Sequence, residues 1–288
     1  MKKILIQFDT DAMPSCFDRV VAVDAGVDDL FSYGGISTEN VVGLVHGAIF
    51  TRGPGSLKNT AIFIGGSRVA DGEAILRKVQ ASYYGPMRVS VMMDSNGCNT
   101  TAAAAVVAAA QHLDISATRA VVLGGTGPVG HRVAQILASQ GANVRLVSRS
   151  AERAAETCDL IRTQTESGTL EPAGAATVDE LLNCCHGREL VVAAGAAGVC
   201  FLPTGVLSQL GDAAVAIDLN AVPPVGIADI GVTDKAKVIG GTTCYGAIGV
   251  GGIKMKIHRA AVASLFEAND RVLDTPEIFS LAQNIQNA

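Results

Sequence analysis

A chain of 288 residues is long enough for two domains, either of which can bury its own core. Hydrophobic residues make up 49% and charged residues 17%, yet no apolar run reaches the roughly 18 residues that a membrane span needs, so the chain reads as a soluble globular protein. A net charge of −5 with no basic block argues against nucleic acid and against an anionic membrane as partners.

The chain opens with two lysines and an apolar run that ends at Asp9 without a small-residue cleavage site, so it is expected to be a first strand, not a secretion signal. Segments 3–8, 61–64 and 88–93 predict strands, and segments 15–25, 38–47 and 68–82 predict helices, although the run Val20-Val21-Ala22-Val23 also suits a strand. Strands alternating with helices predict a parallel sheet covered on both faces. An alanine-rich stretch over 99–112 has no Gly or Pro and predicts a long helix linking the domains. Strand 120–123, helix 129–139 and strand 143–147 then make one βαβ unit. Helix 151–164 and strands 190–193 and 215–219 continue the alternation. Two terminal helices, 254–266 and 276–285, are expected to return to the first domain and make it discontinuous. Seven cysteines form an odd set with no C-x-x-C pair and no zinc-ligand spacing, so reduced thiols, a cytoplasmic location and no metal are expected.

The glycine turn Gly125-Thr126-Gly127-Pro128-Val129-Gly130 has the form G-x-G-x-x-G, a weak signal alone. Its position between the strand Ala120-Val121-Val122-Leu123 and a helix gives it weight, because a dinucleotide-binding turn needs that context. Gly125 permits the tight turn, Gly127 lets the pyrophosphate approach, and Gly130 lets helix and strand pack, with phosphates meeting the N–H groups of the helix start. An NAD site carries an acid about 20 residues further on for the ribose hydroxyl. Here the second strand ends Ser148-Arg149-Ser150, with no carboxylate before Glu152 and with Arg153 one turn on. A hydroxyl and a guanidinium fork suit the 2′-phosphate of NADP.

In a two-domain dehydrogenase the substrate contacts are expected on loops at strand ends facing the nicotinamide. Two loops fit: Phe8-Asp9-Thr10-Asp11, and Asp94-Ser95-Asn96-Gly97-Cys98-Asn99-Thr100-Thr101, in which Asn99 or Thr100 also suits a helix cap.

With these features in view, the chain resembles the NADP-dependent methylene-tetrahydromethanopterin/methylene-tetrahydrofolate dehydrogenases of bacteria over nearly its whole length. The resemblance rests on Gln7-Phe8-Asp9-Thr10-Asp11, on Thr60 through Gly66, on Asp94-Ser95-Asn96-Gly97 with Asn99 through Ala104, on Val121 through Gly130, on Asn220-Ala221 with Pro223-Pro224, and on Gly249 through Arg259. It implies an α/β chain of two domains around a wide cleft: a pterin-substrate domain from 1–101 and 253–288, and a Rossmann-type NADP-binding domain from 102–252. It further implies a reduced pterin carrying a one-carbon bridge as substrate, and assembly as a homo-oligomer. On that basis Asp9, Thr10, Asp94, Asn96, Asn99, Thr100 and Lys254 are expected at the pterin, with Asp94 and Asn96 on the ring's donor edge. Lys256 is the candidate catalytic residue, on the argument that the preceding glycine run brings the backbone close to the cofactor. Gly125 to Gly130, Ser148, Arg149, Ser150, Arg153 and Asn220 are expected at NADP.

Two other readings compete. A shikimate-like dehydrogenase needs a lysine–aspartate pair in the first domain, where Lys2, Lys3, Lys58 and Lys78 are poorly placed. A non-catalytic NADP sensor would have no use for the polar loop 94–101.

Overall fold

The computed structural model describes residues 1–287 and divides into two compact units, Met1–Thr100 with the segment from Met255 onward, and Thr101–Lys254. In chain order the first unit holds β1 (Ile4–Asp9), α1 (Cys16–Asp24), β2 (Asp29–Tyr33), α2 (Val41–Phe50), β3 (Thr60–Gly65), α3 (Val69–Ala81) and β4 (Ser90–Met93). Helix α4 (Cys98–Ala110) carries the chain across the division. The second unit holds β5 (Arg119–Leu123), α5 (Pro128–Ser139), β6 (Asn143–Ser148), α6 (Ala151–Arg162), β7 (Thr169–Gly174), α7 (Val178–Cys185), β8 (Leu190–Ala193), β9 (Val215–Asp218), β10 (Lys237–Ile239) and β11 (Thr242–Tyr245). Helix α8 (Ala247–Ser264) crosses back, and β12 (Val272–Leu273) and α9 (Thr275–Asn287) complete the first unit.

The first unit is a five-stranded sheet in the order β12-β4-β3-β1-β2, every neighbouring pair parallel. Alternate residues Ile6, Phe8, Ile62, Ile64, Val91 and Met93 build one core, closed by Val41, Val45 and Ile49 of α2 and Ile75, Leu76 and Val79 of α3. Strand order reverses between β1 and β3, so their carboxyl-terminal loops diverge and leave the crevice where ligands of such sheets bind. The run Val20 to Val23 is helical: Val21 and Ala22 are buried, and Ser15 caps the helix by accepting from the Asp18 N–H at 3.3 Å.

The second unit has seven strands in the order β10-β11-β9-β8-β5-β6-β7, parallel except for the edge pair β10–β11. Read from β7, this is the Rossmann order with an added antiparallel edge strand, and its reversal falls between β5 and β8. The βαβ unit β5–α5–β6 lies within a residue of its expected bounds because its strands pair mostly through apolar residues, Ala120 on Val144, Val122 on Leu146 and Leu123 on Val147, with Arg145 the exception opposite Val121. Among the described residues no helix is long and apolar enough to cross a membrane, and all seven cysteines are free thiols.

The glycine run before Lys254 is not a loop. Gly249, Gly251 and Gly252 lie in the first turns of α8. A Cβ on Gly249 would fall 1.9 Å from the Asp234 carbonyl oxygen, and one on Gly246 2.1 Å from that of Gly231. The Ile248 N–H donates to Val232 O at 2.8 Å. Gly246 and Gly249 admit the 231–234 loop against the helix, and that packing offsets the low helix propensity of Gly249, whereas a Cβ on Gly251 or Gly252 would meet nothing within 4 Å.

Candidate active site

The turn after β5 is set by its glycines. Gly124 has φ +74°, and a Cβ on Gly130 would lie 2.5 Å from Gly124 O, so α5 packs against the turn with no side chain between them. Gly125 N–H donates to Val147 O at 2.9 Å, tying the turn to β6, and the Phe201 ring packs against Gly124 and Gly195. Gly127 is less crowded but still close-packed, since a Cβ there would meet Gly124 O at 3.3 Å and Ala194 O at 3.5 Å. Gly127 is also the N-cap of α5 and Pro128 its first residue, so the N–H groups of Val129 and Gly130 head a helix with no residue four positions earlier inside it to accept them. That combination favours an anion.

At the end of β6 the Ser148 hydroxyl lies 3.5 Å from that of Thr126 and 3.5 Å from the Ser150 N–H. Ser150 caps α6 by accepting from the Arg153 N–H at 3.2 Å, and its hydroxyl donates to Glu152 at 2.7 Å. That bond, with the Glu152 N–H, holds the Glu152 carboxyl below its ordinary range. The first acid after β6 is therefore engaged in its own helix. Arg149 and Arg153 are exposed and make no ion pair among the described residues. The residues present thus fit a dinucleotide carrying a 2′-phosphate: a glycine turn with free helix-start N–H groups for the pyrophosphate, and hydroxyls with unpaired guanidinium groups beyond it.

Asn220 follows β9, but its carboxamide is spent on its own loop, donating to Pro224 O at 3.1 Å and accepting from the Val222 N–H at 2.9 Å. The Pro223–Pro224 bond is cis. Sequence reasoning missed Asp218 just before it. Burial pushes this carboxyl above its ordinary range, while N–H groups of Ile227, Asn220 and Gly226 pull the other way. It fixes the 218–227 loop beside the switch point, and a lone acid ending an apolar strand was the available signal.

In the first unit three carboxylates organise the carboxyl end of the sheet. Asp9 is buried and accepts the Asp11 N–H at 3.0 Å and the Ser15 N–H at 2.9 Å. Asp11, part of the expected loop but not among the expected pterin contacts, accepts both the N–H and the hydroxyl of Ser67, at 2.9 and 2.8 Å, and so joins the β1 and β3 loops. Asp94 is 1% exposed and accepts the N–H groups of Asn99 and Thr100 with the Thr100 hydroxyl. The sequence offers Asn99 or Thr100 as the cap of α4; the structure uses Asp94. Asn99 instead reaches the start of α9, donating to Asp274 at 2.9 Å and accepting from Thr275 at 2.7 Å. Asp9, Asp94, Asn99 and Thr100 are thus committed to the frame.

Two of the expected substrate residues are not. Thr10 Oγ1 is buried with no hydrogen-bond partner among the described residues, and it lies where a Cβ on Gly66 would fall, 1.9 Å away. Asn96 is exposed and left-handed, with φ 54°. On α8, Lys256 is exposed and Lys254 half-buried. His258, two residues on, is 1% exposed with its ring stacked on Phe63 at 5.6 Å.

Comparison with known proteins places this geometry among relatives. A family model described as methylene-tetrahydromethanopterin dehydrogenase, N-terminal, matches residues 16–96. The "Bifunctional protein MdtA" of Methylorubrum extorquens is 43% identical over 288 residues, 99% of each chain. The "NAD(P)-dependent methylenetetrahydromethanopterin dehydrogenase" of the same organism is 30% identical over 94% of each. Among solved structures, quinate dehydrogenase from Corynebacterium glutamicum in complex with NAD gives a TM-score of 0.55 at 13% identity, covering 98% of this chain and 99% of that one. Shikimate 5-dehydrogenase from Listeria monocytogenes gives 0.56 at 11%, covering 99% and 96%. At such identities the likeness is one of fold alone.

Proposed function

The chain belongs to the methylene-tetrahydromethanopterin dehydrogenase family, and from that premise we propose that it oxidises the methylene bridge of a reduced pterin carrier, methylene-tetrahydromethanopterin first and methylene-tetrahydrofolate as a second substrate, with NADP as the acceptor. The observation that carries the nucleotide half is the pairing of the glycine turn that heads α5 with an unpaired Arg149 at the end of β6. Gly125, Thr126, Gly127, Pro128, Val129 and Gly130 cradle the pyrophosphate. Ser148, Arg149, Ser150 and Arg153 surround the 2′-phosphate, and Asn220 shapes the loop after β9. When bound, the nicotinamide supplies the hydride acceptor.

The chemistry asks little of side chains. Loss of hydride from a carbon between two nitrogens leaves a cation shared by both, and no proton leaves that carbon. The protein's task is to hold the carbon at near-attack distance, an orientation effect that can supply roughly 7 to 11 kcal/mol. In this reading Thr10 and Asn96 touch the pterin, while Asp9, Asp94, Asn99 and Thr100 hold the loops that carry them. Lys254 and Lys256 position the carrier; a cationic lysine beside the reacting carbon would oppose the charge that develops there.

A shikimate-like activity is not favoured. Lys2 and Lys3 precede β1, Lys58 precedes β3, and Lys78 lies in the last turn of α3, all at the amino-terminal edge of the sheet. Lys2 pairs with Asp29 at 3.0 Å, and Lys3 lies over the Phe266 ring. The test is direct: incubation with NADP and each methylene carrier should generate methenyl absorbance. Absence of turnover with both carriers would remove the reading.

A further inference from the structure

Asn96 occupies a backbone conformation that L side chains rarely adopt, with φ 54° and ψ 19°. Asparagine is tolerated there chiefly because its short side chain bonds to nearby backbone. Asn96 makes no such bond: its carboxamide has no hydrogen bond among the described residues, and the residue is exposed. The other local duty open to it, capping α4, belongs to Asp94.

The turn beneath it is nevertheless fixed on every side. The Asp94 N–H donates to Ile64 O at 3.1 Å, the Asn96 N–H to Gly66 O at 2.7 Å and the Gly97 N–H to Asp94 O at 2.8 Å. The Ser95 hydroxyl donates to Gly65 O at 3.1 Å and fills the space where a Cβ on Gly72 would stand. A rigid turn therefore holds an unemployed carboxamide over the carboxyl ends of β3 and β4, beside Gly66 and the orphaned hydroxyl of Thr10.

We propose that Asn96 is a specificity-determining residue that reads the lactam edge of the pterin ring, a deepening that rests on the reading above. A carboxamide presents one donor and one acceptor side by side. The ring N3–H and C4 carbonyl present the complementary pair, so Nδ2 donates to the carbonyl and Oδ1 accepts from N3–H. A carboxylate would instead suit the all-donor edge made by N3–H and the 2-amino group. The carboxylate of this loop, Asp94, is buried and already accepts three bonds. The loop thus selects the donor–acceptor edge, not the donor edge expected from the sequence.

The test uses wild type, Asn96→Gly and Asn96→Asp in the full-length protein. Binding of oxidised pterin is followed by quenching of its fluorescence, turnover by methenyl absorbance, and stability by thermal unfolding. Glycine adopts the left-handed conformation freely, so Asn96→Gly should unfold no earlier than wild type. Its pterin Kd and its KM for the methylene carrier should rise about tenfold, the worth of two hydrogen bonds lost to solvent, with the KM for NADP unchanged. Asn96→Asp keeps the shape but sets a second acceptor against the C4 carbonyl, and should lose at least as much. Pterin binding by Asn96→Gly within twofold of wild type overturns the proposal, as does a parallel rise in the NADP KM with earlier unfolding. Either result leaves the dehydrogenase reading standing, whereas a wild type that turns over neither carrier sinks that reading and this proposal with it.

Discussion

Asp94 Oδ2 accepts the Thr100 hydroxyl at 2.6 Å while its Oδ1 accepts the Asn99 and Thr100 N–H groups at 2.9 and 3.1 Å, so one buried carboxylate closes the amino end of α4. Replacing it removes a cap and strands three buried donors together. A cap is worth about 1 kcal/mol and an unsatisfied buried donor about 1 to 3. Asp94→Ala should therefore lose about 3 kcal/mol in urea unfolding. A loss under about 0.5 kcal/mol would mean that water takes over the carboxylate's place.

How much of this could be read from the chain depended on whether partners were local. The β5–α5–β6 unit was legible because its apolar strand, glycine turn and helical period follow one another within 30 residues. The position of Ser148 and Arg149 at the end of β6 was legible for the same reason. Strands β2 and β7 were not. Each is a sheet edge, half exposed, and β7 contains Glu171 and Pro172, which an edge tolerates because it has one free side. The bridge from Asp11 to Ser67 joins residues 56 apart, and nothing near either one announces it. The start of α8 was hidden by glycines, of which Gly246 and Gly249 answer to the packing of the 231–234 loop, again a non-local cause.

In the proposed function Arg149 carries the nucleotide preference. Its guanidinium has no protein partner to lose, so Arg149→Ala should leave folding unchanged while removing charge-assisted bonds to the 2′-phosphate, worth about 1.5 to 3 kcal/mol. The expected outcome is a fall in kcat/KM for NADP of about ten- to a hundredfold, with kcat/KM for NAD little altered. Steady-state kinetics with both nucleotides decide the matter, and an equal fall for both would reassign Arg149 to holding the shared part of the cofactor.

The charge cluster on β6 and β7 predicts a pH effect on stability. Burial pushes the Glu171 carboxyl up, but hydrogen bonds from Asn143 and Arg188, the Arg188 charge and a bond from Arg145 outweigh it and hold the group below its ordinary range. A carboxyl depressed in the folded state contributes stability that is complete above the unfolded value, about 4.3, and is lost as pH falls through the folded one. Wild type should thus weaken on acidification below about pH 5, and Glu171→Gln should show a shallower slope there, starting from lower stability at pH 7. With the Glu171 side chain 38% exposed, solvent screening limits the difference to about 1 kcal/mol. Identical slopes in denaturant titrations across pH 3–7 would show that other carboxylates govern the acid limb.

Lys256 offers the sharpest separation of function from fold. It is exposed on α8 and makes no ion pair among the described residues, so exchange for alanine, the strongest helix former, costs the helix nothing. Activity lost by Lys256→Ala with stability intact would then come from a lost ligand contact and not from the fold. If the ammonium positions the pterin, turnover should fall about a hundredfold, the effect of misplacing the reacting carbon by about an ångström, while NADP binding and the unfolding midpoint hold. Lys256→Arg keeps the charge but not the reach, and should recover binding of the carrier ahead of turnover. Full activity in Lys256→Ala would make Lys256 a solvated helix residue and leave alignment of the methylene carbon to the turn that carries Asn96.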